Sequence, residues 1–262
     1  MHDDVWNGRG PIATSAPPLP EITDRATWQA QLDDLLVREK AHTREGDAIA
    51  TARRRLPMVE VDSSIPVIGE RGQVPLLEVF EGRRQLIAYY HMWHTGQPAQ
   101  GQCPGCTFCN GQVSDISYLH SRDVTFATIS EGPYQESARY REFMGYAAPW
   151  YSSGSSDDAL LGGRGSGTLI CYLRDGDRVF ETYWTTGRAT EAMGSVYGLL
   201  DMTVYGRQET CEDSPPGWPQ FWQNTGEQWR VDGRPTLQWP RLAAGHCDDL
   251  GVTSTAAATV RA

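Results

Sequence analysis

The sequence predicts an α/β fold, and three observations support this prediction. The apolar run Gln85–Tyr90 has the character of a buried strand, and a second run, Val124–Ile129, is rich in β-branched residues. Helix-compatible segments follow both runs. Two further runs, Thr168–Leu173 and Val179–Trp184, flank an Asp-Gly pair, which is typical of a β-hairpin. This order predicts two parallel strands joined by a right-handed crossover and extended by an antiparallel hairpin, the βαβαββα plan of thioredoxin-type proteins.

For the N-terminal region, the sequence predicts a tail, a long helix and two further short elements. Residues 1–22 are polar and rich in proline, which is typical of a flexible tail. Either Thr23 or Asp24 can cap a helix that begins at Arg25. The following boundaries are expected in this region: a helix Arg25–Ala50, a strand Met58–Val61, a turn Gly69–Gly72 and a short element Pro75–Phe80.

The rest of the chain predicts three more helices, a loop and an irregular arm. The central strand extends from Gln85 to about Trp93. The C-terminal arm is rich in proline and tryptophan, so we expect its aromatic side chains to pack on the same domain, which spans 23–209. The remaining boundaries are a helix from Cys103 or Cys106 to His120, a helix Tyr134–Met144, a loop Pro149–Gly167, a helix Thr190–Leu200 and the arm 210–262.

Composition excludes several classes of function. The 262 residues carry a formal net charge of -10, which disfavours a nucleic-acid surface. No apolar run reaches the ~18 residues that a membrane span requires, and the N-terminus lacks the apolar segment of a secretory signal. We therefore expect a cytoplasmic protein with neither nucleic-acid nor membrane partners. In that reducing compartment, closely spaced cysteines are more often catalytic or metal-binding than structural.

The candidate site is the stretch that follows the central strand. It contains His91, His94, Cys103, Cys106 and Cys109. Open α/β sheets bind their ligands where the strands end, so soft, ionisable side chains at this point predict a functional site. Two chemistries fit these residues, namely thiol–disulfide exchange and metal binding.

Thiol chemistry would use the Cys-Pro-Gly-Cys sequence at the start of the following helix. A cysteine at a helix N-terminus lies at the positive end of the helix dipole, which stabilises its thiolate. Cys103 is the expected nucleophile and Cys106 the resolving thiol. The intervening Pro104-Gly105 pair keeps the turn tight enough for a disulfide to close.

Metal binding would use more of the same residues. The pairs His91/His94 and Cys103/Cys106 have the spacing of paired ligands in tetrahedral sites, and Cys109 is a third thiol one helical turn further. Copper is the expected metal if the site is redox-active, and zinc or iron otherwise. The two histidines are three residues apart and would face opposite sides of one strand, so the strand must end before His94. A purely structural role, with buried cysteines as apolar fillers, is the third alternative.

The chain resembles the DUF899 family, whose members are often described as thioredoxin-like, dithiol–disulfide proteins. Blocks from about residue 25 to 207 carry the resemblance, and it implies a thioredoxin-like fold. The matching blocks are Arg53–Val59, Leu77–Leu86, Cys103–Cys106, Arg122–Thr125, Met144–Tyr146 with Pro149-Trp150, and Leu173–Phe180. Unlike an ordinary thioredoxin, the chain has no proline immediately before Thr168 and no tryptophan immediately before Cys103.

These observations predict a thioredoxin-like oxidoreductase that acts on a small-molecule or thiol substrate. The first alternative is a copper or zinc enzyme whose substrate lies under the loop at 146–167, and the second is a non-catalytic metal-binding protein or metallochaperone. No nucleotide cofactor is expected, because the glycine-rich segment Gly162–Gly167 precedes a strand and not a helix. The protein is also expected to be able to form a homodimer.

Overall fold

The computed structural model describes residue 10 and residues 16–251. Most of the tail expected at 1–22 therefore lies outside the described residues, as does the end of the C-terminal arm from residue 252 onwards. No helix in the described part is both long and apolar enough to span a membrane.

The centre of the molecule is one mixed eight-stranded sheet with the order β1-β8-β7-β4-β5-β6-β2-β3. Its strands are β1 Val59–Val61, β2 Pro66–Gly69, β3 Gly72–Pro75, β4 Gln85–His91, β5 Val124–Ser130, β6 Trp150–Ser152, β7 Thr168–Asp175 and β8 Arg178–Thr185. Strands β4 and β5 are parallel, whereas β7 is antiparallel to both β4 and β8. The four adjacent strands β8-β7-β4-β5, with a helical crossover between β4 and β5, confirm the thioredoxin-like plan.

Seven α-helices accompany the sheet in the described residues. They are α1 Arg25–Arg53, α2 Pro104–Gln112, α3 Ser117–His120, α4 Tyr134–Met144, α5 Asp157–Leu161, α6 Ser195–Asp201 and α7 Trp239–Ala243. Asp24 caps α1 by accepting hydrogen bonds from the backbone N–H groups of Ala26 and Thr27, at 2.9 and 3.0 Å. The bounds predicted for α4 are confirmed, and Gly145 ends this helix in the left-handed conformation.

Four predicted elements differ from the observed ones. The short element expected at Pro75–Phe80 is the last residue of β3 followed by a 3₁₀ turn, Leu76–Phe80. The helix expected to continue to His120 is two helices, because the backbone leaves helical geometry at Val113 and the Asp115 side chain accepts a hydrogen bond from the N–H of Ser117. The loop expected at 149–167 contains β6 and α5. The helix expected at 190–200 is a 3₁₀ turn, Gly187–Met193, followed by α6.

Alternate side chains of β4 separate two parts of the core. Leu86, Ala88 and Tyr90 join a cluster on one face of the sheet, while Tyr89 lies on the other face with Cys106. Helix α1 contributes to neither cluster, and none of its residues is buried. The face of the sheet that carries Tyr89 is therefore the one against which α2 packs.

The C-terminal arm lies beside the segment that precedes α2. It contains the short hairpin β9 Arg230–Val231 and β10 Arg234–Pro235, followed by α7. Two side chains fasten it to the segment that precedes α2: the Arg230 guanidinium donates to the carbonyl oxygens of Gln100 and Gln102, and the Gln238 amide donates to the carbonyl oxygen of Ala99.

Candidate thiol site

Cys103 occupies the position that caps the N-terminus of α2. Its Sγ accepts a hydrogen bond from the backbone N–H of Cys106 at 3.4 Å, and Pro104 is the first residue of the helix. The side chain is half-buried. This placement agrees with the predicted position of the nucleophile, because the free N–H groups of the first helical turn point at the sulfur.

The two cysteines of the pair have opposite acid–base character. The hydrogen bond from the Cys106 side chain, reinforced by the backbone N–H groups of Cys106 and Gly105 and by His94, lowers the pKa of Cys103 from 9.0 to about 6. The same interaction with Cys103, together with burial, raises the pKa of Cys106 well above its usual value. At neutral pH the first sulfur is therefore a thiolate and the second a thiol.

Two donors point at the buried sulfur of Cys106. The Tyr89 hydroxyl donates to Cys106 Sγ at 3.2 Å, and the backbone N–H of Met92 donates at 3.4 Å. Both donors belong to β4 and its continuation, while Cys106 belongs to α2. The end of the central strand thus places two hydrogen-bond donors beside the Cys106 sulfur. Cys106 itself is only 3 % exposed.

Cys109 lies one turn further along α2 and is also buried. Burial raises the pKa of its thiol, so it is protonated at neutral pH. It lines the same cavity as Cys103 and Cys106. Three thiols at successive turns of α2 therefore line one cavity, and only that of Cys103 has a lowered pKa.

Gln102 organises the loop between β4 and Cys103. This side chain is fully buried. Its oxygen accepts from the N–H of His94, and its amide donates to the carbonyl oxygens of His94 and Gln97, all at 3.0 Å. The loop is therefore held as a closed turn, and Cys103 begins α2 from a fixed position.

The structure places His91 in the protein interior, where its ring contacts other side chains. Thr128 donates to Asn110 Oδ1, so the Asn110 amide donates to His91 Nδ1 at 2.7 Å, which leaves the proton of the imidazole on Nε2. That Nε2 is buried without a hydrogen-bond partner among the described residues, and aromatic rings including those of Tyr140 and Trp150 surround the imidazole. Burial lowers the pKa of His91 to about 3, so the imidazole is neutral.

The five residues of the predicted metal site do not form a ligand group. In the described residues, no three His, Cys, Asp or Glu side chains are placed to hold one metal ion. His94 is exposed, and its Nδ1 donates to the carbonyl oxygen of Gly101 at 2.9 Å. The expected convergence of both imidazoles on the sulfurs is thus not observed. The metal alternatives remain untested predictions.

A cavity of about 350 Å³ opens beside the three thiols. Its apolar wall includes Phe108, Tyr197 and Trp229. Gly167, which immediately precedes β7, also lines the cavity. The aromatic rings of Phe108 and Tyr197 are 4.9 Å apart, and Trp229 Nε1 donates to the Tyr197 hydroxyl at 2.6 Å. Two residues with carboxyl groups, Glu191 and Glu209, also line the cavity.

Sequence reasoning missed the residues that complete the site. Tyr89 could have been identified, because it lies two positions before His91 on a strand and must face the same side of the sheet. Glu209 and Trp229 could not, since Glu209 is the last residue of the expected domain and Trp229 belongs to the arm that was expected only to pack on it.

The fold and site together define a thioredoxin-like protein with an asymmetric pair of thiols at the start of a helix. The chain belongs to the DUF899 family of bacterial proteins of unknown function, whose model matches residues 17–232. This confirms the resemblance noted from the sequence. No curated protein matches the chain.

Similar solved structures are peroxiredoxins with low sequence identity. A structure of Xanthomonas campestris peroxiredoxin Q is 13% identical, covering 53% of this chain and 96% of its own, with a TM-score of 0.35. The peroxidoxin BcpB from Mycobacterium tuberculosis is 17% identical, covering 55% and 99%, with a TM-score of 0.37. At these scores the comparisons support no inference about activity.

Proposed function

We propose that the protein is a thiol–disulfide oxidoreductase in which Cys103 is the nucleophile and Cys106 the resolving thiol. The observation that carries this proposal is the placement of the pair. Cys103 Sγ is half-buried at the N-terminus of α2 and accepts the N–H of Cys106, whereas Cys106 is buried against two donors. This placement lowers the pKa of Cys103 and raises that of Cys106. A thiolate is the reactive form in exchange chemistry, so only Cys103 begins the reaction.

The reaction would proceed in two exchange steps. The Cys103 thiolate attacks one sulfur of a substrate disulfide, so a mixed disulfide forms and the first substrate thiolate leaves. Cys106 then gives up its proton to the departing thiolate or to solvent and attacks Cys103 Sγ. The second substrate thiolate leaves, and the protein holds a Cys103–Cys106 disulfide. Two electrons have passed from the protein to the substrate, and an external dithiol returns them.

Tyr89 and the Met92 N–H would act mainly in the return step. When an external thiolate attacks Cys103 in the disulfide form, the electron pair of the broken S–S bond moves to Cys106 Sγ. The two donors already aimed at that sulfur stabilise the thiolate as it forms. Donors placed where negative charge develops lower the barrier without having to rearrange.

The test uses a neutral probe, bis(hydroxyethyl) disulfide, with the fully reduced protein. Peptide mass spectrometry should find a Cys103–Cys106 disulfide, and dithiothreitol should reduce it. Cys106→Ser should accumulate a mixed disulfide on Cys103, whereas Cys103→Ser should lose the reaction. Cys247→Ser is the matched control, because Cys247 is an exposed cysteine remote in sequence from the pair. A reaction that survives in Cys103→Ser would contradict the proposal.

The metal alternatives are separated by elemental analysis of protein purified without a chelator. Under the proposed function, dialysis against a chelator leaves the exchange rate unchanged. A rate that is lost on dialysis and restored by copper, zinc or iron would favour a metal enzyme. About one bound equivalent of metal with an unchanged rate would favour a non-catalytic metal-binding role.

A further inference from the structure

Glu209 is a largely buried carboxyl group in the wall of the thiol cavity, and it also borders two neighbouring cavities. The residue is 6 % exposed, so more than nine-tenths of it is buried, yet it lines the cavity that also contains Cys103. The one hydrogen bond that its carboxylate accepts among the described residues comes from the Cys211 thiol at 3.6 Å. Burial is the largest influence on this carboxyl group and raises its pKa, so a cation that entered the cavity would stabilise the ionised form.

The nearby cations are already paired with other carboxylates. The Arg207 guanidinium donates to both oxygens of Asp201, each at 2.7 Å, and to Glu191 at 3.0 Å. Arg188, which also lines the cavity, donates to Glu191 at 3.1 Å. In the described part of the chain, no Lys or Arg side chain forms an ion pair with Glu209. The charges that face the cavity therefore carry an excess of one carboxyl group.

We infer that Glu209 forms an ammonium subsite and that the preferred substrates of the thiol pair are small disulfides bearing a protonated amine. This inference rests on the proposed function, because the same cavity provides the sulfur nucleophile. The cavity, at about 350 Å³, is large enough for a small disulfide with short aminoalkyl arms. The aromatic wall of Phe108, Tyr197 and Trp229 would contact the carbon chain, and Glu209 would neutralise the amine.

The alternatives fit the cavity less well. An anionic disulfide would place its charge beside Glu191 and Glu209, which is unfavourable in a partly desolvated space. A neutral disulfide would leave the Glu209 carboxylate without a partner. An amine supplies both a positive charge and N–H donors, and a charge-assisted hydrogen bond of this kind is among the stronger ones in proteins.

The test compares cystamine, bis(hydroxyethyl) disulfide and dithiodiglycolate as cationic, neutral and anionic probes. For each probe, kcat/KM is measured with dithiothreitol as the reductant and divided by the rate of that probe with a free thiol, which corrects for leaving-group reactivity. The wild type should prefer cystamine to the neutral probe about tenfold or more. Glu209→Gln should abolish that preference and leave the neutral probe unchanged. Glu227→Gln, an equal change of charge at a residue outside the cavity lining, should retain it.

A second measurement does not depend on turnover. Hexamethylenediamine matches cystamine in length but contains no disulfide, and it should protect Cys103 from alkylation in the wild type and not in Glu209→Gln. If Glu209→Gln fails to fold, Glu209→Asp and the wild-type probe series replace it.

The inference is overturned if the wild type shows no corrected preference for cystamine, or if the preference survives in Glu209→Gln, which would assign it to the general negative charge of the protein. Failure of the neutral probe to react would instead contradict the proposed function, and protection by the diamine would still report on the subsite.

Discussion

The lowered pKa of Cys103 gives a quantitative expectation for its reactivity. With a pKa of about 6, roughly nine-tenths of this sulfur is thiolate at pH 7, compared with about 1% for a thiol at its ordinary value of 9.0. The gain in thiolate is thus about 90-fold. A less basic thiolate is also a weaker nucleophile, which costs ~15- to 30-fold over three pH units. The net acceleration at pH 7 is therefore roughly 3- to 6-fold.

The pH dependence is the more discriminating measurement. Alkylation by iodoacetamide, followed by peptide mass spectrometry, resolves each of the six cysteines. The rate at Cys103 should fall only about tenfold between pH 7 and pH 5, whereas a free model thiol with a pKa of 9.0 should fall about 100-fold. A midpoint for Cys103 at the ordinary thiol value would refute the reasoning.

The matched perturbation is Cys106→Ala, which removes the largest cause of the shift in the pKa of Cys103. Loss of one hydrogen bond to a charged sulfur, ~1.5–3 kcal/mol, should move the midpoint upward by about one to two pH units. His94→Ala should move it upward by less, because His94 acts only through its charge and makes the smallest named contribution. An unchanged midpoint in Cys106→Ala would show that the helix N-terminus alone activates Cys103.

Three further expectations test the surroundings of the site. Tyr89→Phe removes a donor to Cys106 Sγ, so reduction of the Cys103–Cys106 disulfide by dithiothreitol should slow about 2- to 10-fold; an unchanged rate would contradict the role of this hydroxyl. His91 has a folded-state pKa lowered from 6.5 to about 3, so the unfolded chain takes up its proton first as the pH falls. The free energy of unfolding should therefore decrease by ~2 kcal/mol between pH 7 and pH 5 in urea titrations, and the decrease should be smaller in His91→Gln. A Cβ at Gly132 would overlap the Trp93 indole, so Gly132→Ala should lower the unfolding free energy by ~1–3 kcal/mol, and an unchanged melting temperature would show that the ring can move.

The sequence predicted elements whose signals are local. Strand β5, helix α4 and the β7–β8 hairpin each contain their own information, in β-branched residues, in a C-terminal glycine and in a two-residue turn respectively. Strand β6 was missed because it is a strand only through pairing with β5 on one side and β2 on the other. Three residues in a serine- and glycine-rich segment give no periodic pattern from which such distant pairing could be inferred.

The candidate site was likewise predicted only where its signals are local. The position of Cys103 at the start of α2 followed from the helix dipole and the Cys-Pro-Gly-Cys spacing. The burial of His91 and its hydrogen bond with Asn110 did not follow, because ligand spacing along a sequence does not specify which side chains the fold brings to each imidazole. Its true partner, Asn110, is 19 residues away on α2. The place of Glu209 in the cavity could not be predicted either, because only the folded chain brings this residue to the cavity.

The walls of the cavity come from distant parts of the chain. The sulfurs lie at the start of α2 and along it. Glu209 lies immediately before the C-terminal arm, Trp229 belongs to the arm, and Arg230 fastens the arm to the loop before Cys103. Under the proposed function, substitutions in the arm should change which molecules enter the cavity without altering thiol exchange at the cysteines. Relatives that keep the Cys-Pro-Gly-Cys sequence but carry a different arm should share a reaction and differ in the molecules they accept, so that the arm is the first place to look when sorting the family by substrate.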